Sequence, residues 1–167
     1  MNNEEIIFNT VKERGYSDTL ANLLIAQAKH ETANFKSNAF IKYNNAYGYK
    51  RYPGSKWQTG SGNTSTEGNA YAAYNKLSDS VNEVLDWLKR RQNEGKFIIS
   101  QLTTPEAYAL ALKNSNYFGA SVNEYIQGLK FFLTNFTSTV KDIVKKNKFN
   151  LLTIVLLGTA IYYLSKK

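Results

Sequence analysis

Glu31, in the stretch AQAKHETANF, stands where a helix is expected to end. A carboxylate at that position faces the negative pole of the helix macrodipole, and the nearby Phe35 and Phe40 add desolvation. Both effects disfavour the ionised form and raise the carboxyl pKa, which is what a general acid working near neutrality requires. Glu67, in TSTEGN, is the only acidic residue between Glu31 and Asp79. Two carboxyls facing each other across a cleft are the usual apparatus of glycoside hydrolysis, although each glutamate taken singly is as readily a solvated surface group. Phe40, Tyr43, Tyr47, Tyr49, Tyr52, Trp57, Tyr71 and Tyr74 crowd the same region. Tyrosine and tryptophan offer a flat apolar face with a polar tip, which suits a sugar ring as well as a small core.

Other chemistries are excluded by what the chain lacks. Its 167 residues include no Cys and one His, so disulfide scaffolds, thiolate metal sites, Cys nucleophiles and multi-His centres do not arise. His30-Glu31-Thr32-Ala33-Asn34 lacks the second His of the zinc-protease motif, and no G-x-S-x-G elbow presents a Ser to His30. Gly54, Gly60, Gly62 and Gly68 lack the G-K-[ST] ending of a phosphate loop. Carboxylates, hydroxyls and amides must do the chemistry, and no metal or organic cofactor is implied.

The elements that would position these residues are mostly helical. Ile7, Phe8 and Val11 recur at helical spacing ahead of a stop at Gly15, and Ser17 or Asp18 can cap a second helix carrying Leu20, Leu23, Leu24 and Ala28. A capping box at Ser80-x-x-Glu83 is expected to open a third helix, Thr104-Pro105-Glu106 a fourth, and Ser121-x-x-Glu124 a fifth that runs on through Phe132 and Phe136. Between the second and third lie about 45 residues without helical period, rich in Gly, Ser, Thr and Asn, where a small hairpin with its tip near residues 60 to 63 is expected. The predicted fold is a mainly α domain over residues 1 to 140 with a small β-hairpin lobe.

The net charge of +8 is uneven, +3 over residues 1 to 140 and +5 over 141 to 167. A surplus that sits mostly in a tail points to a membrane surface rather than to nucleic acid. Residues 141 to 148 form a basic segment, and Phe149 to Ser165 are 17 residues without a charge, followed by Lys166 and Lys167. As a helix they would span about 25 Å, close to a hydrocarbon core once flanking lysines snorkel. Tyr162 and Tyr163 sit where an interface would be. A single C-terminal transmembrane helix at 149 to 165 is expected, the alternative being a buried helix of a soluble domain. Four lysines on the domain side against two at the terminus would place the domain on the cytoplasmic side by the positive-inside tendency. MNNEEIIFNTVKERG has no apolar core and does not read as a signal peptide.

Taken in order, these segments resemble the glucosaminidase family, glycoside hydrolase family 73, of the lysozyme-like superfamily. AQAKHETANF resembles its helix ending in the catalytic glutamate, and NAYGYK at 45 to 50 its Asn-Leu-Phe-Gly-Ile-Lys signature. Ser65-Thr66-Glu67 resembles the Thr-x-Glu of its β-lobe, YAAYNKLSDSVNEVLDWL at 71 to 88 its tyrosine- and serine-bearing helical segment, and AYALALKNSNYFGASVNEYIQGL at 107 to 129 the stretch with a cleft tyrosine. The resemblance covers roughly residues 18 to 135. It implies Glu31 as general acid, Glu67 as second carboxylate and Tyr117 as a substrate-positioning or transition-state residue. The expected substrate-binding residues are Asn45, Tyr47, Tyr49, Trp57, Tyr71 and Tyr74. The implied substrate is peptidoglycan, cut at a β-1,4 bond between its amino sugars.

The chain departs from the family pattern at Tyr117-Phe118-Gly119-Ala120, where Tyr-Ala-Thr-Asp is usual, and has Gly68 where an aromatic follows the second glutamate. A lytic transglycosylase or muramidase of the same superfamily is one alternative. A non-catalytic wall-binding membrane scaffold is another. Membrane anchoring without a leader suits an enzyme carried in a bacteriophage particle with an internal membrane, opening the wall during entry. The expected partners are peptidoglycan strands and lipid, not nucleic acid.

Overall fold

The first helix, α1 (Asn3–Glu13), opens on a reciprocal capping box in which Asn2 and Glu5 satisfy each other's backbone N–H groups. Its apolar stripe, Ile7, Phe8 and Val11, is buried. Gly15 then takes φ +79°, a conformation that suits glycine. Ser17 caps α2 (Asp18–Glu31), its Oγ accepting from Leu20 N at 3.1 Å. Burial runs almost round this helix, from Leu20 and Ala21 to Leu23, Leu24, Ile25 and Ala28, as expected of a central element.

The computed structural model describes residues 1–64 and 68–134. Glu67, the basic segment 141–148 and the uncharged run 149–165 lie outside the described residues, as does the expected continuation of the last helix through Phe136. Among the described residues no helix is long and apolar enough to cross a membrane. Residues Met1–Leu133 form one unit, mainly helical with a two-stranded antiparallel sheet.

After α2 comes a short helix, α3 (Asn38–Tyr43), capped by Ser37 and ended by Asn44 in the left-handed region. This corrects the expectation of a helix-free insert; six residues with one buried side chain leave no periodic signal. The hairpin pairs β1 (Gly60–Thr64) with β2 (Ala70–Ala73) in antiparallel register, Gly60 opposite Ala73. Residues 60 to 63 are therefore strand rather than tip. Gly62 is required there, since a Cβ would come within 2.8 Å of the Tyr43 ring. On the other side of β2, Ala72 N donates to Tyr49 O at 2.8 Å and Arg51 N to Ala70 O at 2.8 Å, so the segment 49–51 runs along the hairpin.

The long helix α4 (Leu77–Asn93) starts three residues before the expected capping box, with no side-chain cap on Lys76. Ser80 and Glu83 are inside the helix and turned inward: Ser80 Oγ accepts from Ala46 N at 3.1 Å, and Glu83 accepts from Ser55. They serve tertiary contacts, which a capping pattern in the sequence mimics. Helix α1 packs against both α2 and α4, burying Val81, Val84, Leu85 and Leu88. A 3-10 turn at Ile99–Gln101 leads to α5 (Pro105–Asn114), where Thr104 Oγ1 caps Ala107 N and Pro105 occupies the first turn as expected. Its Tyr108 is fully buried and donates to Gln27 Oε1 at 2.5 Å. The last described helix, α6 (Val122–Thr134), begins directly after Ser121 and buries Tyr125 and Leu129.

Candidate functional site

Glu31 is the last residue of α2. The chain beyond it turns sharply, with Ala33, Asn34 and Phe35 all at positive φ (49°, 60° and 64°). Three successive left-handed non-glycine residues are unfavourable by about 1–2 kcal/mol each, so the turn must be held from outside. Thr32 does this: its Oγ1 donates to Ala28 O at 2.6 Å and accepts from Phe35 N at 2.8 Å, while its carbonyl accepts from Lys36 N and Ser37 N. Phe35 and Phe40 meet at 5.1 Å. The carboxyl is thereby fixed at the floor of a cleft of about 600 Å³.

Two groups from distant sequence meet that carboxyl. The Tyr125 hydroxyl of α6 donates to Glu31 Oε1 at 2.7 Å. Gly48, at φ +66°, presents bare backbone to the other oxygen, and a Cβ there would stand 3.6 Å from Glu31 Oε2. Burial pushes the Glu31 carboxyl above its ordinary value, and the Tyr125 hydrogen bond pulls part of the way back. His30, beside it, packs edge-on against Tyr125 at 4.9 Å, and burial pushes its pKa down. The imidazole is neutral at neutral pH and acts in packing. Gly128 makes this possible, because any Cβ at that position would overlap the ring.

Tyr117 also lines the cleft, its hydroxyl donating to the Tyr47 carbonyl and its ring packed edge-on against Tyr49 and Trp87 at 5.9 and 5.3 Å. Burial, and then the nearby Glu31 charge, push its phenol pKa far up, so it stays protonated and a hydrogen-bond donor. Phe118 stacks face to face on Tyr125 at 4.0 Å. Lys113 holds the following turn through Gly119 O and Ala120 O, both at 2.8 Å.

The remaining sequence-predicted residues divide. Tyr47 and Tyr49 line the cleft with Glu31 and Tyr117. Asn45, only 1% exposed, is consumed by backbone: Nδ2 donates to Tyr49 O and Ala72 O, and Oδ1 accepts from Tyr49 N. Tyr74 is buried. Tyr71 carries Lys50 over its ring at 4.0 Å, and Trp57 Nε1 donates to Asp86 at 2.8 Å; neither lines the cleft. Glu67 is outside the described residues.

Sequence reasoning missed three contributors. Tyr125 looked like one more apolar position of the last helix. Gly48 lay within a quoted motif, but nothing local says that it faces a carboxyl. Glu83, 4% exposed, lines the cleft from α4 and accepts from the Ser55 hydroxyl. The loop 55–58 is thus tied to α4 twice, at Glu83 and at Asp86. Burial pushes Asp86 up, but hydrogen bonds from Arg14, Trp57 and Lys56 together hold it below its ordinary value. Among the described residues no three His, Cys, Asp or Glu side chains converge to hold a metal ion.

A protonatable carboxyl at the base of an aromatic-walled cleft is equipment for acid-catalysed cleavage of a glycosidic bond. The model of one family, described as mannosyl-glycoprotein endo-beta-N-acetylglucosaminidase, matches residues 9–149. The chain belongs to the glucosaminidase family. As a member it is a glycoside hydrolase that acts on peptidoglycan. In fold, the glucosaminidase chain is similar to one in a type VI secretion system effector-immunity complex from Pseudomonas protegens, with TM-score 0.52 and 13% sequence identity over 78% of this chain and 88% of that one. No curated sequence matches it significantly.

Proposed function

We propose that this glucosaminidase cleaves the β-1,4 bond between the two amino sugars of peptidoglycan, with Glu31 donating its proton to the glycosidic oxygen. As the bond to the anomeric carbon breaks, an oxocarbenium-like centre develops. Glu67 then activates water or stabilises that charge, and Tyr117 positions the sugar beside Glu31. The observation that carries the reading is the Glu31 carboxyl itself, raised in pKa by burial and open to a 600 Å³ cleft. Mass spectrometry of products released from purified peptidoglycan, by the full chain and by Glu31→Gln, tests it. Reducing N-acetylglucosamine ends, absent with the variant, are expected; unchanged release by Glu31→Gln overturns the assignment.

One observation favours a second reading, a single-carboxyl mechanism of the lytic transglycosylase type. Gly68 stands where the family has an aromatic after the second glutamate, and the cleft carboxylate supplied by α4, Glu83, is buried and already accepts from Ser55. Glu31 would then act as acid and afterwards as base, leaving anhydro-muramic ends in the same mass spectra; reducing muramic ends would instead mark a muramidase.

The proposed setting is a membrane tether through residues 149–165, in a bacteriophage particle whose internal membrane brings the enzyme to the wall. The support is the uncharged run with its flanking lysines. Flotation of the full chain with lipid vesicles tests the tether. A chain that stays at the bottom of the gradient overturns it.

A further inference from the structure

The cleft wall is strongly cationic. Lys50 and Arg51 from the segment beside the hairpin, and Arg90 and Arg91 from the last turn of α4, line the same cleft as Glu31. Among the described residues the carboxylates lining it are Glu31 and Glu83, of which Glu83 is buried against Ser55 and Glu31 is biased toward its neutral form. A bare glycan of N-acetylated sugars is uncharged, so it could take hydrogen bonds from four cations but would leave their charge unmatched.

Several of these cations have other duties. Arg91 pairs with Glu94 at 2.6 Å and lies against Trp87, Arg51 donates to Tyr52 O and Gln58 Oε1, and Lys50 covers Tyr71. Arg90 is exposed, and its side chain makes no ion pair or hydrogen bond among the described residues. A basic residue in the last turn of a helix is favourable for the dipole alone, but that does not require two of them to face the cleft. A second observation marks the same wall: Tyr49 lines the cleft, and its buried hydroxyl has no hydrogen-bond partner among the described residues. A buried hydroxyl left unpaired is costly, and a polar ligand group would satisfy it.

We propose that Arg90, with the Tyr49 hydroxyl and the flanking cations, forms a specificity subsite for a carboxylate carried on the glycan strand. This rests on the peptidoglycan reading above and adds to it the charged part of the substrate. Peptidoglycan offers two sources of that chemistry, the carboxylates of its stem peptides and the lactyl carboxylate of muramic acid that has lost its peptide. Arginine suits either, because its planar fork matches a carboxylate in bidentate geometry.

The test uses soluble, uncross-linked peptidoglycan strands in three forms: native, with all carboxylates converted to neutral amides by carbodiimide coupling to glycinamide, and stripped of stem peptides so that lactyl carboxylates remain. Dissociation constants are measured with full-chain Glu31→Gln, and KM with the active enzyme. Amidated strands are expected to bind at least fivefold more weakly than native ones, with the difference shrinking in high salt. Introducing Arg90→Ala should weaken native binding to the amidated level and leave amidated binding where it was, while Arg90→Lys restores part of the difference. Stripped strands that bind like native ones show that the subsite takes the lactyl carboxylate as well as the peptide's, and stripped strands that bind like amidated ones restrict it to the peptide. Equal affinity for native and amidated strands, or an Arg90→Ala loss of equal size on both, overturns the proposal. Because the binding arm needs no turnover, an inactive wild-type chain would count against the hydrolytic reading alone.

Discussion

The hydroxyl of Tyr125 and the carboxyl of Glu31, 94 residues apart in the chain, are joined by a hydrogen bond of 2.7 Å. That bond sets how readily the carboxyl gives up its proton, because a donor to a carboxylate favours the charged form while burial opposes it.

Replacing Tyr125 with Phe removes the donor and leaves the desolvation. The Glu31 pKa rises further, so the alkaline limb of the pH profile of kcat/KM, which reports loss of the acid's proton, moves to higher pH. Stability falls by about 1 kcal/mol for one lost hydrogen bond. A profile unchanged in Tyr125→Phe would separate Tyr125 from the catalytic proton.

Glu31→Gln is expected to lower turnover by about 10²–10⁴-fold, the usual contribution of a positioned acid. Its stability should change in the opposite direction. A folded-state pKa above the unfolded value means that the native state binds more protons, so the wild type is favoured below the unfolded pKa and loses that advantage as pH rises through the folded one. The variant carries no such penalty. Its Tm should exceed that of the wild type at pH 7, and the gap should close as pH falls through the carboxylate range.

At Gly128, helix propensity favours alanine by about 1 kcal/mol, but the new Cβ would overlap the His30 imidazole. Overpacking of this kind costs about 1–3 kcal/mol and outweighs the propensity. Gly128→Ala should destabilise the wild type yet stabilise a His30→Ala background, a reversal read by chemical denaturation of the four proteins. It should also move the alkaline limb as Tyr125→Phe does, since Tyr125 and Gly128 share α6.

Ser55→Ala leaves the buried Glu83 carboxylate without its hydroxyl donor and removes the acceptor for Trp57 N and Gln58 N, at 3.1 and 3.3 Å. A loss of about 1–3 kcal/mol follows from the unsatisfied groups. Gln58 lines the cleft, so KM for soluble strands should rise more than kcat falls.

Much of the frame was legible from local signals. Ser17 before Leu20, and Thr104-Pro105, mark helix starts because capping is decided within four residues of sequence. Where a residue's partner is remote, local reading went astray. Ser80 and Glu83 matched a capping box but serve Ala46 and Ser55, and Asn45 matched a binding motif but is buried donating to Ala72 O, 27 residues on. Glu31 was legible by type and helix position, whereas its partners Tyr125 and Gly48 were not, since nothing near either residue records that α6 and the 45–50 loop converge on α2.

Helix ends ordinarily fray, opening and closing many times before a helix as a whole unravels. The end of α2 is built against that tendency. Thr32 is bonded both backward to Ala28 and forward to Phe35, and the left-handed residues that follow block any further turn of helix. The amides around Glu31 should therefore exchange with solvent as slowly as those of the helix centre. The proton donor is held by the chain's own backbone before substrate arrives, and little orientational freedom is left to be lost when the sugar binds.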